Sequence, residues 1–364
     1  MPNTTISAGP GVTYDADYEP QLDWMDSKGQ WGMRAEAGKH GLTLEDIQMD
    51  SYGEAPENSF IRSGRQRGSA ARDWNYRSGA YYVNSKQDVW LRNAGGLYEE
   101  ALQRQWSSAT DIPWETIEPL PDDIERAACQ FTTFLSEIEF IAADIPGRWV
   151  ANISPDYLET RMFLMTQMID EARHLDVFRK RALANGGGLM RASEDTMGGG
   201  VVSIDMARDF SEMSARVHVI GESPVLTIFR TGELLAKNEA EKRMYRLAAQ
   251  DESRHVAFGI MHMRYIGQTE PERREEMQTY LDEGEEYLFE GSTVGSAGTD
   301  RASTASMAVL LGGGKDNVDE GWRLLMAINR RQMREWVQRV KSAGFEERFT
   351  NGRAHPEVLK LLRN

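Results

Sequence analysis

A five-residue word occurs twice in this chain and constrains its fold more than any other feature. Asp170-Glu171-Ala172-Arg173-His174 returns 81 positions later as Asp251-Glu252-Ser253-Arg254-His255. In each copy a carboxylate and an imidazole stand three residues apart, which on an α-helix places them one above the other on the same face. One such pair can hold a metal ion from one side. Two pairs on facing helices can enclose two ions, provided the other two helices of a bundle each add a glutamate. Only six histidines are present, and two of them close the two copies of this word.

The surrounding pattern supports helices. From about residue 121 onward, long segments carry apolar residues at a period near 3.6. Helices are predicted over 122–143, 154–185, 203–235, 239–266, 271–290 and 318–343. Pro146 and Gly147 should end or bend the first of these, and Ser154 with Pro155 should start the second. The glycine-rich stretch 186–200 reads as a crossover connection, and Gly344 as the stop of the last helix. The first 120 residues are broken by Gly, Pro, Ser and Asp, with helices expected only near 44–49 and 87–105. No strand pattern stands out. The expected class is all-α: a four-helix bundle with flanking helices over 121–345. Residues 1–120 would wrap it, and a short tail would fill 346–364.

Composition narrows the function. A net charge of −15 opposes binding to nucleic acid. No apolar run approaches the length of a membrane span. The N-terminus lacks the basic and apolar regions of a signal peptide, and Cys129 is the only cysteine, so a cytoplasmic protein without disulfides is expected. No phosphate loop or dinucleotide fingerprint is found.

Glu171 with His174 and Glu252 with His255 are the candidate ligand pairs. The lone glutamates should lie one helix upstream of each. For the second pair this is Glu222, 30 residues before Glu252 in an apolar stretch where an unpaired carboxylate would be costly. Glu233 runs into a solvated charged segment and is set aside. For the first pair the choice lies between Glu137 and Glu139; Glu137 is favoured because it shares the apolar face of Phe134 and Ile141. Asp170 and Asp251 stand where they can accept the free imidazole N–H of a ligand histidine, with Arg173 and Arg254 as their partners. His218, four residues before Glu222, is an extra ligand, a donor behind a ligand, or a hydrogen-bonded core histidine. Phe134, Ile141, Leu164, Met168, Leu226, Thr227 and Phe229 are candidates to line a dry pocket beside the ions.

These residues resemble the ferritin-like di-iron carboxylate superfamily. The pattern is most similar to the catalytic subunits of bacterial multicomponent monooxygenases, in which Gly-Glu and an Ala-rich run precede D-E-x-R-H, twice. Here the corresponding residues are Ser136-Glu137 with Ile141-Ala142-Ala143, and Gly221-Glu222. The resemblance covers roughly residues 125–265. It implies two iron ions (or manganese), O₂ as co-substrate, a small apolar or aromatic substrate, and electrons from a separate reductase or ferredoxin. A homodimer or hetero-oligomer is the expected assembly. Three positions depart from related patterns. Leu226 stands where the hydroxylases carry Thr, with Thr227 one step away. Phe178 replaces the radical tyrosine of the ribonucleotide reductase subunit, and Ala248 the third histidine of the di-iron N-oxygenases. A related oxidase, desaturase, N-oxygenase or iron-handling ferroxidase would use the same ligands.

Overall fold

The computed structural model describes residues 22–26, 31–61, 64–69, 81–193, 206–290 and 301–363. Every regular element among them is helical, with only three isolated β-bridges. The helices are α1 (Ala94–Gln103), α2 (Asp122–Val150), α3 (Leu158–Ala184), α4, α5 (Glu239–Thr269), α6 (Arg274–Glu290), α7 (Arg301–Gly312), α8 (Val318–Ser342) and α9 (Pro356–Arg363). The α4 helix is a continuous run of three segments: Phe210–Ser214, a π-helical stretch Ala215–Gly221, and Glu222–Leu235.

Helices α2 to α5 form a ferritin-like four-helix bundle. Helix α2 lies along α3, α4 along α5, and α3 meets α5. Their starts follow local chemistry. Asp122, Asp123 and Glu125 place negative charge in the first turn of α2, where the exposed N–H groups favour it. Ser154 caps the short turn that opens α3 by accepting from Asp156 N. Asp209 accepts from Glu212 N at the start of α4, and Asn238 from Glu241 N at the start of α5.

Three helix bounds differ from those expected. Helix α2 does not stop at Pro146 but continues to Val150. Ile145, Pro146 and Val150 are buried there, and Gly147 lets Met168 Cε come within 3.0 Å of where a Cβ would stand. That packing outweighs the one hydrogen bond proline cannot make. The helix expected over 87–105 is confined to α1, after a 3-10 turn at Lys86–Asp88, and 44–49 forms turns. The expected start of the third helix at 203 lies outside the described residues, as does 194–200 of the expected crossover. The C-terminal stretch carries α9, with Val358 fully buried.

Helix α7 was absent from the sequence pattern because Ser, Thr, Ala and Gly dominate it. Those small residues serve close packing: Ser303, Ser306 and Ala308 are buried, and α7 lies against both α2 and α8. The contact is so tight that a Cβ on Gly321 of α8 would fall 1.8 Å from Ala308 O.

The chain before α2 is fastened to the bundle at several points. Arg67 donates to Asp156 O and to both Glu159 oxygens, and Val83 bridges to Ile153. From the stretch after α1, Trp106 reaches into the bundle and donates its indole N–H to Asp251 Oδ2 at 2.7 Å. No helix among the described residues is long and apolar enough to cross a membrane.

Candidate metal centre

The two repeated words face each other across the bundle, one on α3 and one on α5. Each residue of either word that points inward is almost fully buried: Asp170, Glu171, His174, Asp251, Glu252 and His255 are each at most 1% exposed. Two donor groups result. Glu139, Glu171, His174 and Glu252 form one, and Glu171, Glu222, Glu252 and His255 the other. Glu171 and Glu252 belong to both.

The imidazoles are fixed in a reciprocal way. His174 Nε2 lies 3.3 Å from Asp251 Oδ2, and His255 Nε2 lies 3.3 Å from Asp170 Oδ2. Each histidine therefore donates its Nε2–H to the aspartate of the other word and turns Nδ1 toward the carboxylates. His174 Nδ1 is 3.0 Å from Glu171 Oε2 and 3.3 Å from Glu252 Oε1; His255 Nδ1 is 2.9 Å from Glu171 Oε1. Arg173 and Arg254 each pair with both aspartates, so the words are crosslinked by charge outside the ligands. Arg173 also lies over the Trp106 ring.

Electrostatics at the centre are those of crowded acids. Burial pushes the Glu139 and Glu222 carboxyls well above the ordinary range, and neighbouring carboxylates add to it. Burial works the same way on Glu171, but the charge of His255 and the close approach of both imidazoles outweigh it and hold that carboxyl low. Burial lowers the two imidazoles, yet the surrounding carboxylates win and hold both well above the usual value.

The residues fit a pair of divalent cations. Oε1 of Glu139, Oε1 of Glu171, Oε2 of Glu222, Oε2 of Glu252 and Nδ1 of His255 are buried and make no hydrogen bond among the described residues; Nδ1 of His255 and Oε1 of Glu171 stand 2.9 Å apart but without hydrogen-bond geometry. Buried orphan acceptors are rare because each forfeits its hydration. Five of them converging on one cluster are what a cation site requires. Four ionised carboxylates and two neutral imidazoles balance two divalent charges, and hard oxygen donors with one imidazole per ion suit iron or manganese.

The favoured placement of Glu137 is corrected. Its carboxylate turns away from both donor groups and accepts from Ser193 N at 3.0 Å and from the Ser193 hydroxyl. Glu139, 2% exposed, takes the place at the centre. The apolar face misled because α2 is covered on two sides. Phe134 and Ile138 pack in one cluster with Met307 and Leu310 of α7, so the stripe does not point toward α3 alone. Spacing held the better signal: 171 − 139 = 32 is nearer to 252 − 222 = 30 than 171 − 137 = 34 is.

His218 joins neither donor group; it bonds to Ser214 and Gln167. Thr227 faces away and donates to Glu335 Oε2 of α8 at 2.6 Å. The other expected lining residues divide between two apolar clusters. Ile141, Leu164 and Met168 belong to one, Phe134, Leu226 and Phe229 to the other. The Phe229 ring stands 6.2 Å from His174, and Phe163, which the sequence did not single out, 6.3 Å from His255. Trp106 and Gln167 also escaped sequence reading. Trp106 lies in an irregular stretch with no periodic signal, and Gln167 is an amide among helix-forming residues.

No family model matches this chain, and none of the curated proteins is similar to it. Among solved structures it is similar to an R2-like ligand-binding oxidase with an aerobically reconstituted metal cofactor after photoconversion. That match has a TM-score of 0.53 at 17% identity and covers 69% of this chain and 93% of the other. A tyrosine-to-phenylalanine variant of an R2-like ligand-binding oxidase, with an anaerobically reconstituted Mn/Fe cofactor, matches at TM-score 0.51 and 18% identity. It is covered to 99%, against 73% of this chain. The chain has the fold of the R2-like ligand-binding oxidases. At these identities the likeness concerns the ferritin-like fold.

Proposed function

We propose that this chain is a non-heme di-metal oxidoreductase that uses O₂ to oxidise a small apolar or aromatic molecule. One ion would be held by Glu139, Glu171, His174 and Glu252, the other by Glu171, Glu222, Glu252 and His255, with Glu171 and Glu252 bridging. The observation that carries this reading is the convergence of orphaned buried acceptors onto two donor groups that share two carboxylates. Iron is the metal the donor set and the monooxygenase-like words favour. The Mn/Fe cofactor of the structural neighbour makes a manganese–iron pair the other combination to try. When bound, such a pair supplies electrons to O₂ and the oxidising power that follows.

The protein's own part is to hold and shield. Asp251 and Asp170 fix the imidazole tautomers by accepting their Nε2–H groups. Arg173 and Arg254 pair with both aspartates and hold them in place. Phe229 and Phe163 place aromatic rings beside the two histidines, and the apolar clusters around them keep bulk water from the donors. Hydroxylation, with electrons from a ferredoxin or reductase docking on this chain, is the reaction we favour. The test is anaerobic reconstitution with Fe(II), or Mn(II) and Fe(II), followed by O₂ with a chemical reductant and a panel of aromatic compounds. Two metals per chain and substrate-coupled O₂ uptake are expected. Two metals with O₂ uptake but no oxidised organic product would replace the monooxygenase reading with a ferroxidase. A folded chain that binds neither metal would overturn both.

A further inference from the structure

A line of buried polar groups runs through the bundle to Glu222 and ends at the donor groups. It begins at Ser214, whose hydroxyl lies 2.9 Å from His218 Nδ1. His218 Nε2 lies 3.0 Å from Gln167 Oε1, and Gln167 Nε2 lies 2.8 Å from Glu222 Oε1. All four residues are at most 4% exposed, and His218 and Gln167 are completely enclosed.

The chemistry at the far end sets the direction of every bond. With a cation bound, Glu222 is ionised and only accepts, so the Gln167 amide turns its NH₂ to Glu222 and its oxygen to His218. That oxygen needs a donor, which makes His218 carry its proton on Nε2. Nδ1 is then an acceptor, and the Ser214 hydroxyl supplies the hydrogen. The result is asymmetric at Glu222: Oε1 is taken by Gln167, while Oε2 is buried without a partner.

Two features of the fold serve this line. His218 lies in the π-helical stretch of α4, immediately before Glu222. Gly259 on α5, four residues past His255, lets that stretch come close; a Cβ there would fall 2.5 Å from His218 Cβ. The line therefore links α4, α3 and the donor groups through contacts that a larger residue on α5 would displace.

We propose that Gln167, held by His218 and Ser214, is a positioning residue that, by donating to Glu222 Oε1, orients the Glu222 carboxylate toward the cation it would share with His255. The proposal rests on the dinuclear reading above. It assigns a purpose to three residues that supply no ligand, and it makes the ion beside His255 the one that depends on them.

Equilibrium Mn(II) binding to the full chain tests it, with anomalous diffraction from crystals at limiting Mn(II) to place each ion. The unaltered protein should bind two ions. Gln167→Met, which keeps the side-chain length and removes the donor, should weaken the ion between Glu222 and His255 by about 10–100-fold. The ion beside Glu139 and His174 should keep its affinity. Ser214→Ala, a smaller alteration, should weaken the same ion several-fold and serves if Gln167→Met does not fold. Unchanged affinity for both ions in the folded variants would overturn the proposal and leave the dinuclear reading standing. Equal weakening of both ions, with a lowered melting temperature, would reduce Gln167 to packing and also overturn it. An unaltered chain that binds no Mn(II) would remove the dinuclear reading and the proposal together.

Discussion

At the scale of single residues, two glutamates one turn-fraction apart on α2 have opposite fates. Glu139 is enclosed with an oxygen that no described residue satisfies; Glu137 is half-buried and satisfied by Ser193. Glu139→Gln is therefore expected to lower metal content toward one ion per chain, whereas Glu137→Gln should leave it unchanged. Elemental analysis after reconstitution checks both. Asp251 is a second residue whose role extends past its own word, because it accepts from the His174 imidazole and the Trp106 indole together. Asp251→Asn keeps the shape but can turn a donor toward His174. A loss of about 10–100-fold in metal affinity is expected, measured by chelator competition.

Whole helices are governed by how closely they approach one another. Gly321 matters for the absence of a side chain: Gly321→Ala would drive a methyl group into Ala308 O and force α7 and α8 apart. An overpacking loss of about 1–3 kcal/mol is expected from urea denaturation. His262 ties α5 to α4 and to the segment before α1, through Ser211 and the Trp90 carbonyl. Burial, aided by the charge of Arg273, pushes its imidazole down to about 4, against the opposing bond to Trp90 O. In the unfolded chain the group titrates near 6.5, so below that pH the unfolded state binds the extra proton first. Its contribution is whole above pH 6.5, declines as pH falls toward 4 and is flat below. The upper limit is roughly 3 kcal/mol, from about 1.4 kcal/mol per pH step. Denaturation midpoints measured from pH 7 to 4 should fall, and His262→Gln should flatten that fall.

For the whole molecule, the centre draws on four helices at once, so cation binding and folding are coupled. An ion that binds only the assembled bundle stabilises it by about 2.7 kcal/mol at a hundredfold excess over its dissociation constant. Adding Mn(II) should raise the melting temperature, and a chelator should reverse the rise. Glu171→Gln, which touches both donor groups, should abolish most of that response.

Much of this was legible beforehand because it is local. The repeated Asp-Glu-x-Arg-His words fix the ligand pairs through helical spacing, and the apolar period fixes α3 and α5. Ser154 and Asn238 mark where those two helices start. Spacing along one helix is a property of the backbone and needs no partner. Which glutamate of α2 turns inward depended on segments far away in sequence: Ser193 holds Glu137, and α7, a helix of small residues whose sequence resembles a loop, covers another side of α2. The passage of α2 beyond Pro146, the reach of Trp106 to Asp251 and the line from Ser214 to Glu222 depend likewise on contacts between distant segments. The sequence by itself determined a helical protein with paired carboxylate–imidazole donors, since 3.6 residues per turn align them whatever lies around. Only the tertiary structure decided which oxygens stay unsatisfied, because that depends on what every neighbouring helix brings within hydrogen-bonding distance.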